Sequence, residues 1–247
     1  MSKSLILALS LLTTTLSVSS ALASSGSHWG YEGKMGPANW AQLTPENGAC
    51  AGKNQSPINL TGFIESDLKA IDFSYRAGGN EILNNGHTVQ VNYAKGSSMK
   101  IDNIQFNLLQ FHFHAPSENH IMGKSYPLEA HFVHADKEGN LAVVALMFEE
   151  GKENSALAGA WSQMPAHAGD KSVMKTTADA NKILPASKDY YRFNGSLTTP
   201  PCSEGVRWFV MKEAVSASKE QIHAFEKVMH HGNNRPIQAT NARPLLK

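Results

Sequence analysis

The sequence predicts a single, mainly β (α+β) domain with short helices at its periphery. Short runs of β-branched and aromatic residues recur between turn signals along most of the chain. Segments with helical periodicity are few. No internal repeat or low-complexity linker divides the 247 residues, although this length fits one large β-rich domain as well as two small ones.

The predicted strands are separated by turn signals rich in glycine and asparagine, at residues 78–80, 84–86 and 138–140. The run 141–148 is continuously apolar, which indicates a central strand covered on both faces. Strands are predicted at residues 71–75, 88–93, 106–114, 128–134, 141–148, 190–194 and 206–211.

One helix has a clear start signal. Ser218 is followed three residues later by Gln221, which is the pattern of a capping box. A weaker helical pattern covers residues 155–163. In the first helix, apolar residues recur at helical spacing at Ile222, Phe225, Val228 and Met229.

Residues 1–23 have the features of a secretory signal. Lys3 supplies a positive charge, residues 5–12 are apolar, and residues 21–23 form a small-residue cleavage site. The segment is too short and too rich in serine and threonine for a stable membrane span, and an uncleaved anchor is the alternative. We therefore expect cleavage of 1–23, no membrane anchor afterwards, and a catalytic domain over 24–247.

Charge and cysteine content also restrict the possibilities. The formal net charge of +1 gives no support for a nucleic-acid partner or a membrane surface. Cys50 and Cys202 are the two cysteines, and an even count in an exported protein suggests a disulfide. Two unrelated buried thiols are the alternative. Neither cysteine lies in a CxxC pattern, so metal binding or thiol exchange by them is not expected.

The segment 110–114 predicts a metal site. Side chains alternate across a strand, so His112 and His114 share one face while Phe111 and Phe113 enter the core behind them. The same alternation predicts Leu108 on the histidine face.

A second strand supplies a third histidine. Its residues Glu129, His131 and Val133 share a face, whereas His134 points the other way. If the two strands are neighbours, three imidazoles meet, which is the ligand number of catalytic zinc. Gln110 and Glu129 each lie two residues before a ligand, where they can accept hydrogen bonds from the imidazoles.

Three alternatives compete with this site. The histidines can be ordinary buried or surface residues, since the chain has 11 of them. A structural zinc site normally has four ligands and often uses cysteine. His112, His114 and Glu118 also have the spacing of the first metal motif of cupins, but Phe106 replaces the expected glycine and the second cupin motif is absent.

Several segments together closely resemble the α-class carbonic anhydrases in their secreted bacterial form, from His28 to about Pro236. These segments are HWGY at 28–31, QSPIN at 55–59, NNGH at 84–87, QFHFH at 110–114, SE at 117–118, EAHFVH at 129–134, GSLTTPP at 195–201 and NRP at 234–236.

The resemblance implies a single domain on a large, mostly antiparallel twisted sheet and a fixed set of catalytic roles. His112, His114 and His131 match the ligands of a Zn²⁺ cofactor whose bound hydroxide hydrates carbon dioxide reversibly to bicarbonate. Thr198 matches a residue that accepts a hydrogen bond from this hydroxide and donates one to Glu118, which must be ionised because a carboxylate only accepts.

The resemblance also assigns the walls of the active site. The positions that match the hydrophobic carbon dioxide pocket are Val133, Val143, Leu197 and Trp208. Thr199 matches a contact for bicarbonate or inhibitors. His87 matches a proton-shuttle histidine, because an imidazole with a pKa near 6.5 suits proton transfer. Tyr31, Asn85 and Gln90 match positions that line the water network. His134 matches a buried structural histidine.

Some residues differ from those at the matching positions of the animal enzymes. Asn119 stands where the animal enzymes usually carry histidine, Gln90 replaces an asparagine, and the link 115–117 is shorter. Cys50 and Cys202 match the disulfide of secreted bacterial members. The implied protein is periplasmic, acts on small molecules and is a monomer or homodimer. A catalytically silent binding module and a periplasmic metal carrier are the alternative functions.

Overall fold

An 11-stranded twisted sheet dominates the structure, and short helices lie around it. This computed structural model describes residues 29–247, so the proposed signal 1–23 lies outside the described residues. The helices are α1 (Trp40–Leu43), α2 (Ala158–Trp161), α3 (Ala180–Ile183) and α4 (Lys219–Met229). The strands are β1 (Asn59–Leu60), β2 (Asp72–Ser74), β3 (Gly79–Asn84), β4 (Val89–Tyr93), β5 (Ser98–Ile101), β6 (Ile104–His114), β7 (His120–Ile121), β8 (Leu128–Ala135), β9 (Leu141–Glu150), β10 (Lys171–Ala178), β11 (Tyr190–Ser196), β12 (Glu204–Met211) and β13 (Val215–Ala217).

The strands of the large sheet are mostly antiparallel, as predicted. Their order is β10-β3-β4-β6-β8-β9-β12-β11, with β5 beside β6, β2 beside β5, and β13 beside β9. Among the described strands of this sheet, only β12 and β13 pair in parallel, both with β9. The short strands β1 and β7 form a separate parallel pair. The prediction of a mainly β fold on one large sheet is therefore confirmed.

The two predicted histidine strands are direct neighbours. Strands β6 and β8 pair with His112 opposite His131 and His114 opposite Glu129. Phe111 is fully buried on the other face, where it packs within the larger hydrophobic cluster. The predicted alternation is therefore correct from residue 110 to the end of β6.

A bulge in β6 overturns the predicted position of Leu108. The register moves from Leu108 opposite His134 to Gln110 opposite Val133, so Leu109 is an extra residue on β6. An extra residue reverses the alternation beyond it. Leu108 is consequently buried in the same cluster as Phe111, and its predicted place on the histidine face is wrong.

Strand β9 separates the two hydrophobic clusters of the core. Val144 and Leu146 enter the larger cluster, which helix α4 covers with Phe225. Val143 and Ala145 enter the smaller cluster on the opposite face, which is the side of the metal-site histidines. The prediction that 141–148 is a central strand covered on both faces is confirmed.

The helix predictions differ in outcome. Helix α4 begins after Ser218, and both hydrogen bonds of the predicted capping box are present. Within 155–163 only Ala158–Trp161 is α-helical. The side chain of Asn154 accepts a hydrogen bond from the Ala156 N–H, and this local turn competes with a longer helix. No helix within residues 29–247 is long and apolar enough to cross a membrane.

Some strands were missed because their local signals are weak or misleading. Residues 78–80 were predicted as a turn, but Gly79 begins β3. A Cβ at Gly79 would lie 2.7 Å from Ala178 Cβ and 2.8 Å from Val91 Cγ1, so packing in the sheet requires a glycine there. Strand β10 is an edge strand with mostly exposed residues, and it lacks the alternation by which strands are recognised.

Candidate metal centre and cavity

Three imidazoles converge on the face of the sheet opposite the larger cluster. The ligand atoms of His112, His114 and His131 all lie within 4.8 Å of one another. His114 and His131 are buried, and His112 is half-buried. Among the described residues, this is the group of histidine, cysteine and acidic side chains that could hold a metal ion.

Each imidazole has one nitrogen occupied by a fixed hydrogen-bond partner. His112 Nδ1 lies 2.8 Å from Gln110 Oε1, and His131 Nε2 lies 2.8 Å from Glu129 Oε1. His114 Nδ1 lies 2.7 Å from the backbone oxygen of Asn233. Carbonyl and carboxylate oxygens accept, so these ring nitrogens donate and the other nitrogen of each ring keeps its lone pair. Three unprotonated nitrogens therefore face one point.

The electrostatics of the site favour neutral imidazoles. Burial, followed by repulsion from His114 and His131, holds the pKa of His112 well below its usual value. Burial and then His114 lower the pKa of His131 in the same way. Burial also lowers the pKa of His114, although its bond to the Asn233 carbonyl opposes this shift. Neutral imidazole is the form that binds metals.

Two buried polar atoms at the centre lack a hydrogen-bond partner. These atoms are His114 Nε2 and Glu118 Oε2, which are 3.4 Å apart. A buried polar atom without a partner is costly unless another group satisfies it. Three neutral nitrogen donors with room for a fourth ligand match the preference of catalytic zinc. The residues present therefore fit Zn²⁺.

Glu118 lies on the link after β6, and its surroundings act on its charge in opposite directions. Burial raises the pKa of Glu118 well above its usual value, while the Arg235 N–H and the Thr198 side chain lower it. The Arg235 N–H donates to Glu118 Oε1 at 2.8 Å. The influence of Thr198 on this pKa shows that its side chain lies beside the carboxyl, whereas Glu118 Oε2 has no regular hydrogen-bond partner among the described residues.

Glu129 accepts hydrogen bonds that the sequence did not predict. The N–H groups of Glu118 and Asn119 donate to its Oε2 at 2.7 and 2.9 Å, and Asn119 Nδ2 donates to its Oε1 at 2.8 Å. Burial raises the pKa of Glu129, whereas these donors lower it. Asn119 thus fixes the carboxylate that accepts the hydrogen bond from His131. Asn233, which orients His114, was also missed, because it lies 119 residues away in the chain.

The metal-site histidines form the base of a cavity of about 150 Å³ with one apolar and one polar wall. Asn85, Gln90 and Gln110 bring polar groups to it, and Trp29 and Thr88 were not predicted. The apolar wall consists of Val133, Val143, Leu197 and Trp208. The other lining residues are Tyr31, His87, Thr198 and Thr199. All residues predicted for substrate and water contacts therefore line one cavity.

A tight turn holds His87 at the polar wall. Asn85 Oδ1 accepts hydrogen bonds from the N–H groups of His87 and Thr88, both at 2.9 Å. The His87 ring stacks on Trp29, with ring centres 3.6 Å apart and planes 9° apart. The hydroxyl of Tyr31 is buried without a partner, and burial followed by the charge of Glu118 raises the pKa of Tyr31.

The predicted disulfide between Cys50 and Cys202 is present. Its cysteines are 152 residues apart in the chain. The Cys202 N–H donates to the Thr199 oxygen at 2.8 Å, so the disulfide anchors the segment that carries Thr198.

Comparisons with known proteins agree with this geometry. The family model for eukaryotic-type carbonic anhydrases matches residues 35–247. The carbonic anhydrase of Pectobacterium atrosepticum is 51% identical over 92% of this chain and 93% of its own. The α-carbonic anhydrase of Thermovibrio ammonificans, solved with the inhibitor sulfanilamide, is 48% identical with a TM-score of 0.88, over 90% of this chain and all of its own. The α-carbonic anhydrase of Photobacterium profundum is 44% identical with a TM-score of 0.85, over 89% of this chain and all of its own.

The family model matches most of the chain, and bacterial relatives at this identity share its length and fold. With its three-histidine centre, the chain therefore belongs to the α-class carbonic anhydrase family of enzymes.

Proposed function

We propose that this chain is a zinc enzyme that hydrates carbon dioxide reversibly to bicarbonate and a proton. The observation that carries the proposal is the convergence of three unprotonated imidazole nitrogens at the base of a half-apolar cavity. His112 and His114 would bind Zn²⁺ through Nε2 and His131 through Nδ1, since the other nitrogens are occupied. Bound Zn²⁺ would activate water at neutral pH, an effect for which carbonic anhydrase is itself the standard example.

Thr198 and Glu118 would orient the nucleophile. An ionised Glu118 can only accept, so the Thr198 hydroxyl must donate to it, and the Thr198 oxygen can then accept a hydrogen bond from the attacking water or hydroxide. This relay directs an oxygen lone pair away from Thr198 and into the cavity. Burial alone favours protonated Glu118, but the Arg235 N–H opposes this, and a nearby cation would lower the pKa of Glu118 further.

The two walls would serve different steps. Carbon dioxide is apolar, and Val133, Val143, Leu197 and Trp208 offer it an apolar surface beside the metal. Thr199 lies where bicarbonate would contact the wall. His87 would carry the proton to buffer, through waters that Tyr31, Asn85 and Gln90 would contact on the cavity wall.

The compartment and assembly belong to the same proposal. A signal at 1–23 and a disulfide in the mature domain support export to the periplasm, where disulfides persist. We propose that the mature enzyme acts there as a monomer or homodimer on carbon dioxide and bicarbonate.

Replacing Thr198 tests the relay. For Thr198→Ala we expect kcat/KM for carbon dioxide hydration to fall about 100-fold in stopped-flow assays, because one oriented hydrogen bond at the reacting centre is lost. Zinc content should stay at the wild-type level, since Thr198 is not a ligand. Thr198→Ser keeps the hydroxyl and should retain most of the activity. Equal activity of Thr198→Ala and wild type would contradict the proposed role.

A further inference from the structure

Three polar side chains form a hydrogen-bonded row on the sheet face that carries the metal-site histidines. Asn92 Nδ2 donates to Glu81 Oε1 at 2.7 Å, and Gln90 Nε2 donates to Asn92 Oδ1 at 2.6 Å. Glu81 on β3 lies directly opposite Asn92 on β4, and Gln90 lies directly opposite His112 on β6. We call Glu81, Asn92 and Gln90 the amide row.

The row has a fixed direction because it ends in a carboxylate. An ionised carboxylate accepts and cannot donate, so Asn92 must turn its NH₂ group toward Glu81. The Asn92 oxygen then faces Gln90, so Gln90 must donate to it from its own NH₂ group. Gln90 Oε1 is thereby left as the free end of the row. Without the carboxylate, either amide could flip, since oxygen and nitrogen occupy nearly equivalent positions.

The free end of the row matters because Gln90 lines the cavity together with His87, whereas Glu81 and Asn92 do not line it. An acceptor on the wall binds one O–H of a neighbouring water and leaves both lone pairs of that water open to receive a proton. A donor on the wall would occupy one of those lone pairs. The orientation of the Gln90 amide therefore decides how wall water can take part in proton transfer.

We propose that Glu81, acting through Asn92, is a positioning residue for the proton-exit step, because it keeps Gln90 Oε1 turned toward the cavity that the metal-site histidines share with His87. This inference rests on the proposed carbonic anhydrase function. Sequence analysis assigned no role to Glu81 or Asn92, because their alignment depends on the pairing of β3 with β4 and of β4 with β6.

The test compares substitutions that change the direction of the row. Glu81→Asp keeps an acceptor, Glu81→Gln permits both directions, and Glu81→Lys supplies only donors and should reverse the row. The assay is stopped-flow hydration in dilute buffer, where proton transfer limits turnover. The loss of kcat should be smallest for Glu81→Asp, larger for Glu81→Gln and largest for Glu81→Lys, for which we expect about a 10-fold fall. The ratio kcat/KM should stay at the wild-type value, and added imidazole should restore kcat, as it should for His87→Ala.

A control variant and an exchange measurement separate this role from a general effect of charge or folding. Asp170→Asn removes a carboxylate from a loop that bonds to the end of β3 near the His87 turn, and it leaves the amide row intact. In ¹⁵N-labelled protein, the side-chain NH₂ of Gln90 should exchange slowly with solvent in wild type and rapidly in Glu81→Lys.

Each outcome has a separate meaning. If kcat is unchanged in both Glu81→Gln and Glu81→Lys, or if kcat and kcat/KM fall equally, this inference is overturned. The proposed function is still supported in either case, provided that the wild type hydrates carbon dioxide. A fall in kcat for Asp170→Asn equal to that for Glu81→Lys would overturn the inference in favour of a general charge effect. A zinc-loaded wild type without hydration would overturn the proposed function itself.

Discussion

Each metal-site imidazole is oriented by a different kind of acceptor. A side-chain amide holds His112, a backbone carbonyl holds His114, and a carboxylate holds His131. Each acceptor is itself placed by the sheet or by further hydrogen bonds, as Asn119 places Glu129. Such support fixes both ring orientation and tautomer before a metal arrives. The site is therefore organised by the fold, and we expect metal binding to need little rearrangement.

His134 gives a prediction about pH at the residue scale. It is fully buried on the core side, where its Nε2 lies 2.5 Å from the Tyr75 hydroxyl. Burial lowers the pKa of His134 to about 4 in the folded protein. The unfolded chain has the ordinary pKa of about 6.5, so it binds a proton first as the pH falls. Stability from this group is complete above pH 6.5 and is lost progressively between pH 6.5 and 4.

The measurement is chemical denaturation of wild type and His134→Gln at pH 7 and pH 5. Linkage predicts that the wild type loses about 2 kcal/mol of unfolding free energy through this histidine over that range. The variant starts with lower stability, because it loses buried hydrogen bonds, but should lack this part of the pH dependence. His223→Gln, on the exposed face of α4, is the matched control. Equal pH dependence in wild type and His134→Gln would contradict the assignment.

At the scale of strands and helices, predictability followed the strength of the local pattern. Strand β8 alternates from Leu128 to Phe132 and β9 is apolar from Leu141 to Phe148, so both were predicted, together with their buried faces. Helix α4 was predicted from its capping box. Strand β10 is exposed and irregular, and Gly79 resembles a turn residue although it starts β3. These elements are determined by their neighbours in the sheet rather than by their own sequence.

The metal site shows the same division. His112, His114 and His131 were predicted from alternation within two strands, and Gln110 and Glu129 from their places beside them. Asn233 could not be predicted, because its contact with His114 joins segments that are distant in the chain. The bulge at Leu109 left no readable signal either, although it determines which residues of β6 share a face with His112 and His114. Local sequence thus identifies the ligands, and tertiary contacts supply their orientation.

At the scale of the whole molecule, Arg235 joins distant segments around Glu118. Its guanidinium donates to Gln55 Oε1 and to the carbonyl oxygens of Ser56 and Cys50, while its backbone N–H donates to Glu118. Burial lowers the pKa of Arg235 to about 10, so it stays charged at neutral pH. The disulfide connects the same region to the segment of Thr198. Segments near both ends of the domain therefore meet at Glu118.

The disulfide leads to a prediction about the stability of the whole domain. Closing a loop between residues 152 apart restricts the unfolded chain, and the chain-entropy model gives about 5 kcal/mol as the upper size of the effect. We expect the double variant Cys50→Ala/Cys202→Ala to unfold at a clearly lower denaturant concentration, with reductant shifting only the wild type. Identical midpoints for the wild type with and without reductant would contradict a stabilising disulfide.

The central claim is that three histidines hold one zinc ion at which carbon dioxide is hydrated. It is tested most directly by titrating metal-free protein with Zn²⁺ while hydration is followed by stopped-flow. Activity should rise linearly to one zinc per chain and then stay constant, and His131→Ala should remain at background at the same zinc concentrations. Full activity without zinc, or a fully loaded wild type at the background rate, would contradict it.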